Sequence, residues 1–451
     1  MEDILMKREV FEYTDVNDMF PVSDRFRVFV DGKEIKVIMD DEYDYVNIIT
    51  KDIVSVEVKI NDKIDKIDLR PSRREKKFTV DGDTVKFLLS YGDYYSLEVN
   101  GDLSRPLLLF CDEPIPAQKY CGQNVIYFKP YSYNKVGILT PESDTVIFID
   151  EGAIMDGKIE AKFASKIRIV GNGYLFAKNR LSGKGAHPIN IENCSDIEIN
   201  GITIVGYHTW NIRLWKCSDA LIENVKIMSY NEWSDGIDIM CSENIVIRHV
   251  FVKNEDDCIV IKASKHRPYN FEGGDARNIL VEDCVLWSGP RGNSMEIGYE
   301  LNNGTIENVL FRNIDVIHRQ TRETKFNRTV ISIHNSGNTT VRNITYENIY
   351  AEETEENFIM LAHMHVPVWG LGGGKIENIR LRNVTLAGGE LRPSYICARP
   401  IGLPADSEHT CEMRNITFEN LNIHGNHIDS AEKAKDFGFT IDPLAENVKF
   451  V

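Results

Sequence analysis

Four segments in the second half of the chain share one pattern. Ile306-Glu307-Asn308-Val309, Val341-Arg342-Asn343-Ile344, Ile376-Glu377-Asn378-Ile379 and Met413-Arg414-Asn415-Ile416 carry asparagines 35, 35 and 37 residues apart. Each runs into a second unit with its own asparagine: Asn313, Asn348, Asn383 and Asn420. Upstream the period tightens, and Cys194-Ser195-Asp196, Cys217-Ser218-Asp219 and Cys241-Ser242-Glu243 recur at 23 and 24 residues. Laps of this length, made of short alternating apolar runs with almost no helical periodicity, specify a solenoid. The leucine framework of leucine-rich repeats is missing, and tetratricopeptide or ankyrin arrays would need helices. The pattern fits an all-β chain wound as a right-handed parallel β-helix. Ile, Val and Leu then stack inward, and asparagines at the bends form hydrogen-bonded ladders.

The first part of the chain reads differently. Phe26 to Val30 meets Asp31-Gly32 and then Lys33 to Ile38, and the device recurs around Asp81-Gly82. Asp-Gly between alternating runs is a hairpin signal, and several such strands suggest a small sandwich. The expected division is a β-sandwich over residues 1–115 and the β-helix over 116–451. The sandwich is expected near the N-terminal end of the solenoid. The irregular Leu391–Thr410 and His427–Val451 segments are expected near its other end, because stacked laps need covered ends.

Charge narrows the function. With 69 acidic against 52 basic residues the net charge is −17. Such a chain is poorly suited to nucleic acid or an anionic membrane surface. No run approaches the roughly 18 apolar residues of a membrane span. Nine cysteines without metal-binding spacing read as free buried thiols, and with no signal-like N-terminus the expectation is a cytoplasmic protein. No metal or cofactor constellation stands out, and nothing specifies an oligomeric state.

The candidate chemistry lies in Trp233-Ser234-Asp235-Gly236-Ile237-Asp238-Ile239 and, one lap later, Asn254-Glu255-Asp256-Asp257-Cys258-Ile259-Val260-Ile261. If both apolar runs are neighbouring rungs, their starts lie roughly 4.8 Å apart and the carboxylates converge. Crowded carboxylates raise each other's pKa. Asp256 and Asp257 cannot both face outward in a regular strand, but at the start of one a bend or bulge could aim both into the groove. Aligning Ile212/Leu214, Ile237/Ile239, Ile259/Ile261, Met295/Ile297, Ile331/Ile333, Ile359/Leu361 and Ile396/Ala398 as inward pairs leaves the alternate residues outward. That outward set includes Arg213, Trp215, Asp238, Lys262, Glu296, Ser332, His334 and Arg399. A face mixing aromatic, acidic, basic and histidine side chains suits a carbohydrate groove. Trp210, Trp215, Trp233 and Tyr299 are candidate sugar platforms; Asp238, Lys262, Asn293, Glu296, His334, Arg399 and His208 are candidate polar contacts. Segments 265–277, 318–328 and 363–374 are long enough to wall the groove.

At these residues the chain resembles polygalacturonase-type enzymes, glycoside hydrolase family 28. The carriers are Asp235-Gly236, Glu255-Asp256-Asp257-Cys258-Ile259, Gly292-Asn293-Ser294-Met295-Glu296-Ile297-Gly298 and the upstream Tyr207-His208-Thr209-Trp210-Asn211-Ile212. The sandwich, with Ser96-Leu97-Glu98-Val99-Asn100-Gly101-Asp102, is similar to the N-terminal domain of dextranases and isopullulanases, family 49. The resemblance implies hydrolysis of O-glycosidic bonds with inversion, Asp256 as general acid, and Asp235 and Asp257 as the pair that positions and deprotonates water. Inverting carboxyl groups stand about 6.5–9.5 Å apart to admit that water. Four departures bear on the substrate. The family's N-T-D reads Trp233-Ser234-Asp235, its Q-D-D reads Glu255-Asp256-Asp257, its G-H-G reads Gly292-Asn293-Ser294, and its uronate-holding R-I-K reads Ser332-Ile333-His334. A carboxylate is best gripped by a bidentate Arg, and Ser332 cannot supply one. Arg399, Lys262 or His334 would have to compensate. The expectation tilts toward a neutral or differently decorated sugar. Two other readings stay open at this level: a pectate-lyase-type eliminase and a non-catalytic carbohydrate-binding β-helix.

Overall fold

An ordinary L-residue with positive φ costs roughly 1–2 kcal/mol, and asparagine tolerates it because its short amide bonds locally. Here that property sets the solenoid. In the computed structural model, which describes residues 20–40, 42–176, 187–206, 209–264, 273–321, 328–366, 373–403 and 411–451, Asn244, Asn278, Asn308, Asn343, Asn378 and Asn415 have φ of +55° to +57°. Each turns the chain at the same place in its lap. An amide carries donor and acceptor together, so the side chains link in a row. Asn278 donates to Asn244 at 3.1 Å, Asn308 to Asn278 at 3.2 Å and Asn415 to Asn378 at 3.0 Å. A second row runs through Asn313, Asn348, Asn383 and Asn420.

From Asn124 onward 29 strands join into one continuous, almost wholly parallel sheet wound as a right-handed β-helix. Each full lap adds one rung to three faces. The groove sheet stacks Ile189–Glu192, Ile212–Trp215, Ile237–Met240, Ile259–Ala263, Met295–Leu301, Thr329–Asn335, Asn357–Met364 and Ser394–Ile401. The second sheet carries the first asparagine row at its turns, and the third begins with short strands such as Thr203–Val205, Lys226–Met228 and Phe251–Asn254. Inside, isoleucine, valine and leucine from all three faces form one buried core along the axis. The inward pairs align as the alternation requires up to Leu361. At the last groove rung the register differs from the sequence alignment: Leu361, not Ile359, lies opposite Ile396.

Residues 20–112 form two five-stranded sheets packed over their own core. Asp31 and Gly32 both take positive φ, 47° and 79°, as the hairpin between Phe26–Val30 and Lys33–Ile35 demands. The sandwich does not cover the end of the solenoid, as the sequence suggested. It lies along the flank, against the third sheet. The reason is an apolar stripe on that sheet's outer face: Phe176, Val205, Met228, Phe251 and Trp287 pack with Tyr43, Tyr45, Tyr94 and Phe110 of the sandwich. Ion pairs fix the contact. Buried Lys226 meets buried Asp112 at 2.5 Å, and Arg70 bridges Glu98 of the sandwich to Glu352 and Glu353 of the helix.

The C-terminal end is closed partly as expected. Ser430 caps a short helix, Ala431–Asp436, and Phe439 and Phe450 pack on Phe418. Within the segment expected as irregular cover, Ser394–Ile401 is instead a groove-sheet rung, and 404–410 lie outside the described residues. No helix among the described residues is long and apolar enough to cross a membrane. All nine cysteines are free.

Candidate active site

The catalytic candidates sit where groove-sheet strands begin. Register places Asp235 two residues before Ile237 and Asp257 two before its partner Ile259, so the two are rung neighbours. Asn293, two before Met295, continues the column. Backbone bonds hold it: the Gly236 N–H donates to the Asp257 carbonyl at 2.8 Å, and that of Cys258 to the Asn293 carbonyl at 2.9 Å. Asp256 and Asp257 lie in the bend before the strand Ile259–Ala263. Asn254 secures that bend, its amide donating to the carbonyls of Ser234 at 2.7 Å and Asp257 at 2.8 Å. Gly292 is required beside it. A Cβ there would fall 1.7 Å from the Asp256 carbonyl carbon.

The carboxylates are not equivalent. Asp257 is buried, and its Oδ1 accepts the backbone N–H of Asn293 at 2.7 Å and the Asn293 amide at 2.9 Å. Asp235 is buried against the Lys262 ammonium at 3.1 Å. Asp256 is partly exposed. Burial, then the neighbouring Asp257 charge, pushes its pKa up to about 8, against opposition from Arg328 and Lys262. Burial and then Asp238 also drive Asp235 well above the usual carboxylate range, with Lys262 opposing. Asp257 rises through burial and Glu296, with Arg328, Lys262 and the Asn293 N–H opposing. These groups titrate as one set.

Lys262 is the hub. Its Nζ lies 2.6 Å from Asp238, 3.1 Å from Asp235 and 3.2 Å from Glu300, and 3.7 Å from the centroid of the Trp210 ring. Burial pulls the ammonium down, but Asp238, Glu300 and Asp235 outweigh it and hold it well above the lysine range. Asp238 is fully buried, and burial raises it to about 6 despite Lys262. Glu296, also fully buried, receives the Ser332 hydroxyl and lies 2.9 Å from His334 Nδ1. Tyr299 has His334 on one side, 5.5 Å between centroids, and the Arg328 guanidinium 5.5 Å from its own.

The remaining sequence candidates separate here. Trp210 is not a free sugar platform, because Lys262 lies over its ring and His187 stacks on it at 5.4 Å and 25°. Burial, then Arg213, pushes His187 down to about 3, so it stays neutral. Trp215 carries Arg213 at 5.5 Å and Lys216 at 5.6 Å. Trp233 is 54% exposed and stands at the rim two residues from Asp235. Arg399 is exposed four rungs beyond the aspartates, about 19 Å along the axis at roughly 4.8 Å per rung. At that distance it cannot act beside the aspartates. Tyr207 and His208 lie outside the described residues, as do parts of the three segments expected to wall the groove. Among the described residues no cluster of His, Cys, Asp and Glu is arranged to hold a metal ion; Asp235, Asp238 and Glu300 turn to an ammonium instead.

Three contributors were missed from sequence: Glu300, Arg328 and His187. Glu300 reaches Lys262 because the strand Met295–Leu301 carries extra residues between its pairings with Ile261 and Ala263. Simple alternation loses count across such a bulge. Arg328 stood at the edge of a segment read as a wall. Its charge bears on Asp257 and Asp256.

The model of Glycosyl hydrolases family 28 matches residues 156–439. Among curated proteins, a "Polygalacturonase" of Phaedon cochleariae is 29% identical over 268 residues, 55% of this chain and 64% of that protein. A "Probable endopolygalacturonase D" of Neosartorya fischeri is 28% identical over 211 residues, 45% of this chain and 38% of that protein. The chain thus spans less than two thirds of the length of either relative. Among solved structures, the family 28 exopolygalacturonase of Yersinia enterocolitica aligns over 87% of this chain and 96% of its own, at 12% identity and a TM-score of 0.48.

Proposed function

Because the chain belongs to glycosyl hydrolases family 28, we propose that it is an inverting glycosidase in which Asp256 is the general acid and Asp257 and Asp235 hold and deprotonate the attacking water. One observation carries the reading: of the three crowded carboxyl groups, all of them raised, Asp256 alone is partly exposed while Asp235 and Asp257 are buried, and burial with the Asp257 charge lifts it to about 8. An acid must keep its proton until it reaches the glycosidic oxygen, and a raised pKa does that near neutrality. Asp257 suits the base, since two N–H donors favour its ionised form. Asp235 is oriented by Lys262, which Asp238 and Glu300 hold in turn.

The preferred substrate in this reading is a neutral or otherwise decorated sugar. Where the family pattern places a uronate-gripping Arg and Lys, Ser332 and His334 are engaged with the buried carboxylate of Glu296. That engagement leaves neither side chain to grip a sugar carboxylate in the bidentate way an Arg would. The test is Asp256→Asn assayed for new reducing ends on a panel of glucans and pectic polymers. Hydrolysis should fall by roughly 10²–10⁴-fold with circular dichroism unchanged. Turnover equal to the parent's would overturn the assignment. Faster cleavage of polygalacturonate than of every neutral glycan would overturn the sugar preference alone.

A further inference from the structure

Trp210, Trp215 and Trp287 have their rings occupied. Lys262 and His187 reach Trp210, and Arg213 and Lys216 lie over Trp215. Trp287 packs on His318 at 4.4 Å and Lys253 at 4.8 Å, and its indole N–H donates to Gln320 at 2.8 Å. Trp233 differs. It is 54% exposed, and among the described residues neither its ring nor its indole N–H has a partner. Large aromatic rings dominate buried apolar area, yet this one is left in water beside the carboxylates.

The backbone under Trp233 is fixed. Ser234 is fully buried, and its N–H, at 3.0 Å, and its hydroxyl, at 2.6 Å, both donate to the Asn231 carbonyl. Glu232 pairs with Arg291 at 2.8 Å. Lap lengths give that pair its place. The aligned third-sheet residues Met228, Lys253 and Trp287 lead to the aligned groove-sheet residues Ile237, Ile259 and Met295 through eight, five and seven residues. The shortest connection carries Asp256. It is flanked by two longer turns, one bearing Trp233 and the other Arg291, and the ion pair ties them together across two rung spacings, about 10 Å. A free indole on a fixed turn can take a flat apolar face with little ordering left to lose on binding. The C–H groups of a pyranose ring offer such a face. Its hydroxyls suit the Glu232 carboxylate and the Arg291 guanidinium, each about half exposed.

We propose that Trp233 is the stacking platform of a sugar subsite beside Asp256, one rung toward the N-terminal laps, and that it sets affinity for a pyranose ring there. The proposal takes its sugar ligand from the glycosidase reading. Six-sugar oligomers of galacturonate, α-1,6-linked glucose and α-1,3-linked glucose test it in two ways. Cleavage is compared among the parent, Trp233→Ala and Trp233→Phe, and binding is measured by calorimetric titration of Asp256→Asn with and without Trp233→Ala. Loss of stacking should raise KM for the cleaved oligomer, and Kd in the titration, by roughly tenfold. A contact made equally in ground and transition states leaves kcat within about twofold, and Trp233→Phe should recover most of the loss. Unchanged KM and Kd in Trp233→Ala, or a lower kcat at unchanged KM, would overturn the platform and leave the glycosidase reading standing. Binding that weakens with Trp233→Ala, without cleavage by the parent, would support the subsite and overturn the glycosidase reading. Neither binding nor cleavage of any oligomer would overturn both.

Discussion

Lys262→Met is the most informative single change. The ammonium is buried and holds three carboxylates within 3.2 Å. Removing one partner of a buried ion pair typically costs about 3–5 kcal/mol. At about 2.1 cal/mol/K per residue, the unfolding entropy of a 451-residue chain is near 0.95 kcal/mol/K, so Tm should fall by roughly 3–5 °C. The loss should depend on pH. Without the cation, the pKa values of Asp235 and Asp238 rise further above their unfolded values. A carboxyl group raised on folding costs stability as pH climbs from the unfolded toward the folded pKa, and the cost vanishes below the unfolded pKa. If one additional proton is retained by the folded variant across two pH units, about 2.7 kcal/mol is recovered on acidification. The deficit should therefore shrink by roughly 3 °C between pH 7.5 and 5.5. Differential scanning calorimetry of parent and variant at both pH values measures it. A deficit below 1 °C, or one unchanged by pH, would refute the view that Lys262 neutralises this cluster.

Other consequences follow from the same geometry. Hydrolysis should decline as pH rises through about 8, where Asp256 loses its proton; a rate unchanged up to pH 9.5 would contradict its role as acid. Asp256→Asn should melt above the parent at pH 8, with the gap closing toward pH 4, because the parent alone carries the cost of ionising a raised carboxyl group. Asn293→Ala removes one of the two N–H donors to Asp257, so the acid limb of the rate profile should move up by about 1 pH unit, at roughly 1.4 kcal/mol per unit. Asn348→Ala keeps a residue at φ +55° without the amide bonds to Asn313 and Asn383. Its cost should be about 2–4 kcal/mol, and Asn348→Gly should recover part of the loss in the same melting assay.

The solenoid was legible because its rule is local. A lap needs a left-handed turn at a fixed place and inward apolar residues at alternate positions, and Asn308, Asn343, Asn378 and Asn415 state that rule in one dimension. The meeting of Asp235 with Asp256 and Asp257 followed from the same rule, since a constant register converts lap length into adjacency. Where register slips, reading failed. The extra residues in Met295–Leu301 brought Glu300 to Lys262 unannounced, and the shifted pairing of Asn357–Met364 with Ser394–Ile401 altered the last groove rung.

What the sequence by itself determined is thus the rung, the direction of each side chain in a regular strand, and the column of Asp235, Asp257 and Asn293. What only the tertiary structure decided is which outward faces are covered and which charges neutralise which. The sandwich lies along the flank because Phe176, Phe251 and Trp287, far apart in the chain, form one apolar stripe only after winding. Trp210 lost its freedom as a platform for the same reason: Lys262 and His187 reach it from different laps. Burial and pairing across laps sum contributions from residues distant in sequence, and no local pattern records that sum.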